Sequence, residues 1–345
     1  MQSQSRYGIA SGGNWIVDRV KMVDCLPGRG MLANIRSESL STGGAAANVL
    51  VDLARLKSPF PLSGLGVVGN DDDGRFVCRT CAHYGINSDG IVVTPAAPTS
   101  YTDVMYEEQT GDRSFFHRRG ANALFGPEHV QIEKLTCRVF HLGYLLLLDR
   151  MDEPDADHGT VAAALLKQLQ KAGIKTSVDV VSEESDRFKT IVPPALPYID
   201  YLILNEIETG RATGKTVRRP DGTLDGKALR DAVRALYDFG SMELAAVHMP
   251  EGVYVRDRKG NEFSRGSLTV PEGFIKAKLG AGDAFCAGML YGLHEDWEYA
   301  RAVELGTCSA TSCLAHSSAT EGVLPAVEAL TYLKTFQVER PPVEC

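Results

Sequence analysis

The sequence predicts an α/β fold: a doubly wound, mostly parallel sheet with helices on both faces, plus a small β-sheet lid. Three observations carry this expectation. First, short apolar β-prone runs alternate with helix-like stretches, and a strand–helix–strand rhythm gives a parallel sheet. Second, residues 96–120 break that rhythm: SYTDVMYEEQTGDRSFFHRR reads as two strands around a Thr-Gly-Asp turn, a hairpin signal. Third, the chain has 345 residues, 44% hydrophobic and 23% charged, ordinary for a soluble globular protein and enough for one large domain.

The elements follow in order. Residues 14–40 hold short β-like pieces and are paired with 96–120 as one sheet standing off the main domain. Helix-like stretches lie at 44–57, 75–84, 159–172, 227–239, 284–294 and 300–312. The β-prone runs lie at 65–68, 138–142, 175–181, 201–204 and 244–248. Residues 1–330 form a single α/β domain with this discontinuous lid, and 331–345 a C-terminal tail. The loose pieces are the first several residues, VRRPDGTLDG at 217–226, and the tail QVERPPVEC.

Composition excludes some functions. The net charge is −8, whereas a general nucleic-acid binder needs a basic surface. The N-terminus lacks the charged start and long apolar centre of a signal peptide. The longest apolar run, 142–148, is too short to span a bilayer. No membrane partner and a cytoplasmic location are expected. Eight cysteines in so long a chain read as core residues of a reduced compartment, and Cys78-Arg-Thr-Cys81 lacks a second pair at matching spacing.

Two motifs point the wrong way. GLGVVG at 64–69 fits a dinucleotide fingerprint, but its glycines sit inside a strand-like run instead of between a strand and a helix. GRATGKT at 210–216 has three residues between its glycines where a phosphate loop needs four.

KAKLGAGDAFCAGMLYGL, 276–293, is more informative. A glycine turn at a helix start exposes backbone N–H groups that the helix cannot use, and the helix dipole adds positive charge. This suits a phosphate, with Gly280, Ala281 and Gly282 leaving room for close approach. Asp283 would repel a resting phosphate. It is either a helix cap or a base that takes the proton of a hydroxyl attacking that phosphate.

The chain resembles the ribokinase-like (PfkB-type) carbohydrate kinase family over about residues 8–325. GAGDAFCAG looks like the family's C-terminal signature, and STGGAAANVLVDLARL at 41–56 like its N-terminal one. GLGVVGNDDDGRF, Gly120-Ala121-Asn122 and LILNEIETG at 202–210 match further segments in the right order. The resemblance implies an ATP-dependent kinase acting on a hydroxyl of a sugar or sugar derivative. A nucleoside kinase of the same fold and a catalytically silent sugar-binding relative are the alternatives. For a nucleoside, Phe115, Phe116 or Tyr101 would stack on the base.

The resemblance also implies roles. Asp283 would be the general base, and the N–H groups of Ala281, Gly282 and Asp283 would hold the transferring phosphoryl group. Asn205 and Glu208 would place Mg²⁺ through water; their alternative is a strand-end cap and a surface glutamate. Asp18, Gly43, Gly44 and Asn48 would bind the sugar. Arg118 either faces the pocket or is a solvated lid arginine. Gly252 and Thr307 would contact the nucleotide, and lid edges would pair into a homodimer. Two departures stand out: Ala277 and Lys278 occupy the family's usual Asp-Thr, and the glycine-rich turn is altered to His248-Met-Pro-Glu-Gly252.

Overall fold

The computed structural model describes residues 6–107, 109–110, 112–181 and 185–344. Along the chain, β1 (Ile9–Gly13), β2 (Ile16–Val23) and β3 (Ile35–Gly43) precede α1 (Ala45–Arg55). Then come β4 (Leu62–Gly69), α2 (Asp72–Tyr84), β5 (Asn87–Thr94), β6 (Ser100–Glu107), β7 (Arg113–Arg118) and β8 (Val139–Leu145). The two-residue ladder β9 (Pro154–Asp155) and β10 (Gly159–Thr160) leads to α3 (Val161–Lys171), β11 (Lys175–Val180), α4 (Phe188–Ala195), β12 (Tyr201–Asn205), α5 (Glu206–Thr213) and α6 (Gly226–Leu236). Last are β13 (Leu244–Met249), β14 (Gly252–Asp257), β15 (Glu262–Gly266), β16 (Leu268–Thr269), α7 (Ala281–His294), α8 (Tyr299–Leu314), α9 (Ala326–Ala329), α10 (Tyr332–Thr335) and β17 (Gln337–Val338).

A nine-stranded sheet has the order β15-β14-β13-β12-β11-β8-β1-β4-β5. From β13 to β5 every pairing is parallel; β14 and β15 add an antiparallel edge. Parallel strands covered on both faces read as continuous apolar runs. β12 shows why: Leu202 and Leu204 join a core with Leu165 of α3 and Leu229 of α6, while Tyr201 and Ile203 join another with Leu50 of α1 and Leu290 of α7. Successive residues point to opposite faces, and both faces are roofed by helices.

The lid is a four-stranded sheet, β3-β2-β6-β7, from the two segments that the sequence pairs. Gly111 of its Thr-Gly-Asp turn lies outside the described residues. The GLGVVG glycines serve packing: Trp15 lies over Gly64 and Gly66, where a Cβ would collide with its ring, and its Nε1 donates to Leu65 O at 2.8 Å. GRATGKT is the end of α5, with Gly214 as a left-handed C-cap (φ 67°).

Two segments expected to be loose are tied down. Arg218 makes two bonds to Glu251, at 2.8 and 2.9 Å, and pairs with Glu206. In the tail, β17 pairs with β16 and Val343 is buried. The first five residues lie outside the described ones. No helix among the described residues is long and apolar enough to cross a membrane.

Candidate active site

In an open parallel sheet, ligands bind beyond the C-terminal ends of the strands. Here β8, β11, β12 and β13 bring Tyr144, Asp179, Asn205 and His248 to one such edge. With Glu208, Gly280, Gly282, Asp283 and Cys286 they line a cavity of about 200 Å³.

α7 supplies the floor. Gly280 is its N-cap with φ 75°, a conformation that favours glycine, and a Cβ there would strike the Ala319 carbonyl. The first N–H groups of α7 have no intrahelical acceptor. Asp283 sits at the third helical position and is not the cap. Its carboxylate accepts from Asn48 Nδ2 at 2.8 Å and Tyr144 OH at 3.5 Å. Burial raises its pKa to about 6, against the lowering pull of hydrogen bonds from Asn48, Tyr144 and Asp179. Asp179 is pushed well above the carboxylate range by burial, then by the charges of Glu208 and Asp283. Both carboxyl groups are thus biased toward the protonated form, Asp179 the more strongly.

α1 supplies the wall. Gly44 (φ 88°) caps it where a Cβ would strike the Asn14 carbonyl. Asn48 points its amide nitrogen at Asp283, and its buried Oδ1 has no partner among the described residues and can accept a hydroxyl. Gly43 lies against the Asp18 carboxylate so closely that a Cβ would overlap it. Asp18 is buried, and desolvation raises its pKa to about 7; a Thr102 hydrogen bond opposes this and the Asp283 charge adds to it.

Asn205 and Glu208 form a reciprocal cap at the β12–α5 junction. Asn205 Oδ1 accepts from the Glu208 N–H at 2.8 Å, and Glu208 Oε2 from the Asn205 N–H at 3.0 Å. Both still line the cavity, and Glu208 is buried, not a surface residue. The other sequence-predicted residues stand elsewhere. Arg118 is exposed and in register with Tyr101, one place out of phase with the Asp18–Thr102–His117 row, so strand alternation sends it to the opposite lid face. The same phase puts Phe115 on the Asp18 face and Phe116 and Tyr101 on the other, which leaves one ring for a base to stack on. Gly252 opens β14, where a Cβ would strike the Arg265 carbonyl of β15. Thr307 is buried in α8; neither it nor Gly252 lines the cavity.

Sequence reasoning missed Asp179, Tyr144, His248 and Asp52. Asp179 had a signal, a lone acid inside the apolar run TSVDVV. His248 stands opposite Asn205 in the register of β12 and β13, and burial lowers its pKa to about 4. Asp52, one helical turn beyond Asn48, is fully buried and neither carboxylate oxygen has a partner among the described residues.

A mixed sheet with a detached lid and a carboxylate beside a glycine-capped helix is the ribokinase-like fold. The ribokinase of Arabidopsis thaliana complexed with ribose and ATP superposes with a TM-score of 0.77, covering 95% of this chain and 99% of that one at 19% identity. The family model for pfkB family carbohydrate kinases matches residues 8–326, and the chain belongs to that family. Its relatives include the ATP-dependent ribose-1-phosphate kinase of Halopiger xanaduensis, 28% identical over 309 residues and 90% of each chain. The 5-dehydro-2-deoxygluconokinase of Geobacillus kaustophilus is 23% identical over 312 residues, 81% of each.

Proposed function

We propose that this kinase transfers the γ-phosphoryl group of ATP to a hydroxyl of a sugar or sugar derivative, with Asp283 as general base and the Gly280–Gly282 turn as the anion hole. The carrying observation is the Asp283 carboxylate, fixed by Asn48 and Tyr144 in the first turn of a helix whose leading N–H groups have no intrahelical acceptor. A base with a pKa of about 6 is ionised at neutral pH and still basic enough to take a proton.

Asp18 and Asn48 Oδ1 accept hydrogen bonds from sugar hydroxyls and turn one hydroxyl toward Asp283. That hydroxyl gives its proton to Asp283 while its oxygen bonds to the γ-phosphorus and the bond to the ADP oxygen breaks. Ala281, Gly282 and Asp283 N–H groups hold the phosphoryl oxygens. The lid, carrying Asp18, keeps water away from the transferring group.

Mg²⁺ fits the residues present. Asp179, Asn205 and Glu208 offer oxygen atoms, and the cavity lining includes no Lys or Arg among the described residues. No three acidic, His or Cys side chains form a ligand cage among those residues, which suits an ion that keeps waters and phosphate oxygens. Bound with the nucleotide, magnesium would neutralise phosphate charge.

The relatives' names supply the assay panel: ribose, ribose 1-phosphate and 5-dehydro-2-deoxygluconate, with nucleosides beside them. The test is ADP release coupled to a second enzyme. Turnover that depends on a sugar acceptor supports the reading. Adenosine-dependent turnover alone would move the substrate to a nucleoside, and ATP binding with no acceptor-dependent ADP would mark a silent relative.

A further inference from the structure

His248 is the unexplained polar group of this site. It is the penultimate residue of β13, at the strand edge where the cavity opens, and lines the cavity with Asp283, Glu208 and Gly282. Its ring leans on Phe285 at 5.2 Å between centroids. The Cε1–Nε2 edge lies over Gly282: a Cβ built on that glycine would be 3.2 Å from Cε1 and 3.5 Å from Nε2. The imidazole thus stands directly beside the leading N–H groups of α7. The ring is only half-buried, and no hydrogen-bond partner is found for it among the described residues, so its nitrogens face the cavity.

The surrounding charge is one-sided. Asp179, Glu208 and Asp283 line the cavity with His248, and no Lys or Arg among the described residues joins them. An acidic pocket that must accept a nucleotide phosphate needs neutral or positive donors near the place where the phosphate sits. Lys278 and Lys276 are exposed beyond the glycine turn. His248 is the side chain whose ring nitrogen can donate at the turn itself.

We infer that His248 donates a hydrogen bond from Nε2 to an oxygen of the γ-phosphate, completing the anion hole above Gly282. The inference rests on phosphoryl transfer at Asp283. Burial holds the ring neutral, its pKa near 4, so one nitrogen keeps a proton and serves as a donor without titrating at neutral pH. A contact confined to the γ-phosphate distinguishes ATP from ADP, so His248 favours binding of the donor over the spent nucleotide.

The test pairs His248→Phe, which keeps a flat ring against Phe285 but has no donor, with His248→Gln, whose amide nitrogen can reach toward the same point. Titration calorimetry measures AMP-PNP and ADP affinity with Mg²⁺, and steady-state kinetics gives kcat and KM for both substrates. A hydrogen bond to a charged group predicts that His248→Phe weakens AMP-PNP about tenfold or more. ADP affinity and sugar KM should stay within about twofold, kcat should fall, and His248→Gln should recover much of the loss. Unchanged ADP binding also shows that the variant is folded. Equal weakening of AMP-PNP and ADP, no weakening of either, or a Gln variant no better than Phe would each overturn the inference. If the wild type itself forms no acceptor-dependent ADP, the phosphotransfer reading fails first, and the AMP-PNP to ADP ratio still judges His248.

Discussion

Replacing Asp52 by Asn should change how stability depends on pH. Asp52 is fully buried on α1, and neither carboxylate oxygen finds a partner among the described residues. Burial, then the charge of Asp283, push its pKa well above the ordinary 3.8, with Arg55 pulling the other way. The folded state therefore binds a proton that the unfolded chain releases. For a raised pKa, stability is full below the unfolded value and is lost as pH rises toward the folded one. While Asp52 stays protonated in the fold, each pH unit above about 5 costs about 1.4 kcal/mol. Asn keeps the shape and does not titrate. Asp18 and Asp179 carry the same sign but are present in both proteins and cancel in the comparison. Urea unfolding of both at pH 5, 6 and 7 should show the variant gaining on the wild type by about that amount per pH unit. Parallel pH dependences would refute the reasoning, because Asp52 would then be ionised in the fold.

Asp18→Ala should raise the sugar KM roughly ten- to a hundredfold, from about 1.5–3 kcal/mol of lost charged hydrogen bonding, and leave the KM for ATP nearly unchanged; equal effects in steady-state kinetics would indicate a folding defect. Glu208→Gln retains an oxygen for the Asn205 N–H but loses the charge, so the Mg²⁺ concentration for half-maximal rate should rise several-fold; an unchanged magnesium titration would remove Glu208 from the site.

Much of the fold was legible because its signals are local. Apolar runs gave β4, β8, β11, β12 and β13, and the hairpin pattern gave β6 and β7. β1 was not, since IASGG is short, with two glycines and no apolar run, and its place inside the sheet comes from its neighbours β4 and β8. The edge strand β5, NSDGIVVT, is half-exposed and carries turn-like residues. The candidate site divides the same way. Asp283, Asn48, Asn205 and Glu208 lie in contiguous motifs, and the fold brings them together. Tyr144, Asp179 and His248 are single residues at the ends of three strands, and only the parallel sheet makes them neighbours. Arg118 shows the limit of reading a lid from sequence, because a one-residue phase decides which face it takes. The 217–226 segment looked loose because its composition is polar, whereas Arg218 is held by two glutamates distant in sequence.

The most direct test of the central claim is the turnover of Asp283→Asn. Asn keeps the size of the side chain and removes the basic carboxylate that Asn48 and Tyr144 hold in place, one at each oxygen. With the preferred sugar at saturation, kcat should fall about a thousandfold or more, the range of a lost general base, while titration calorimetry finds sugar and ATP affinities within a few-fold of the wild type. A variant that keeps a tenth of the wild-type kcat contradicts the account, for Asp283 would then help to shape the helix start without taking the proton.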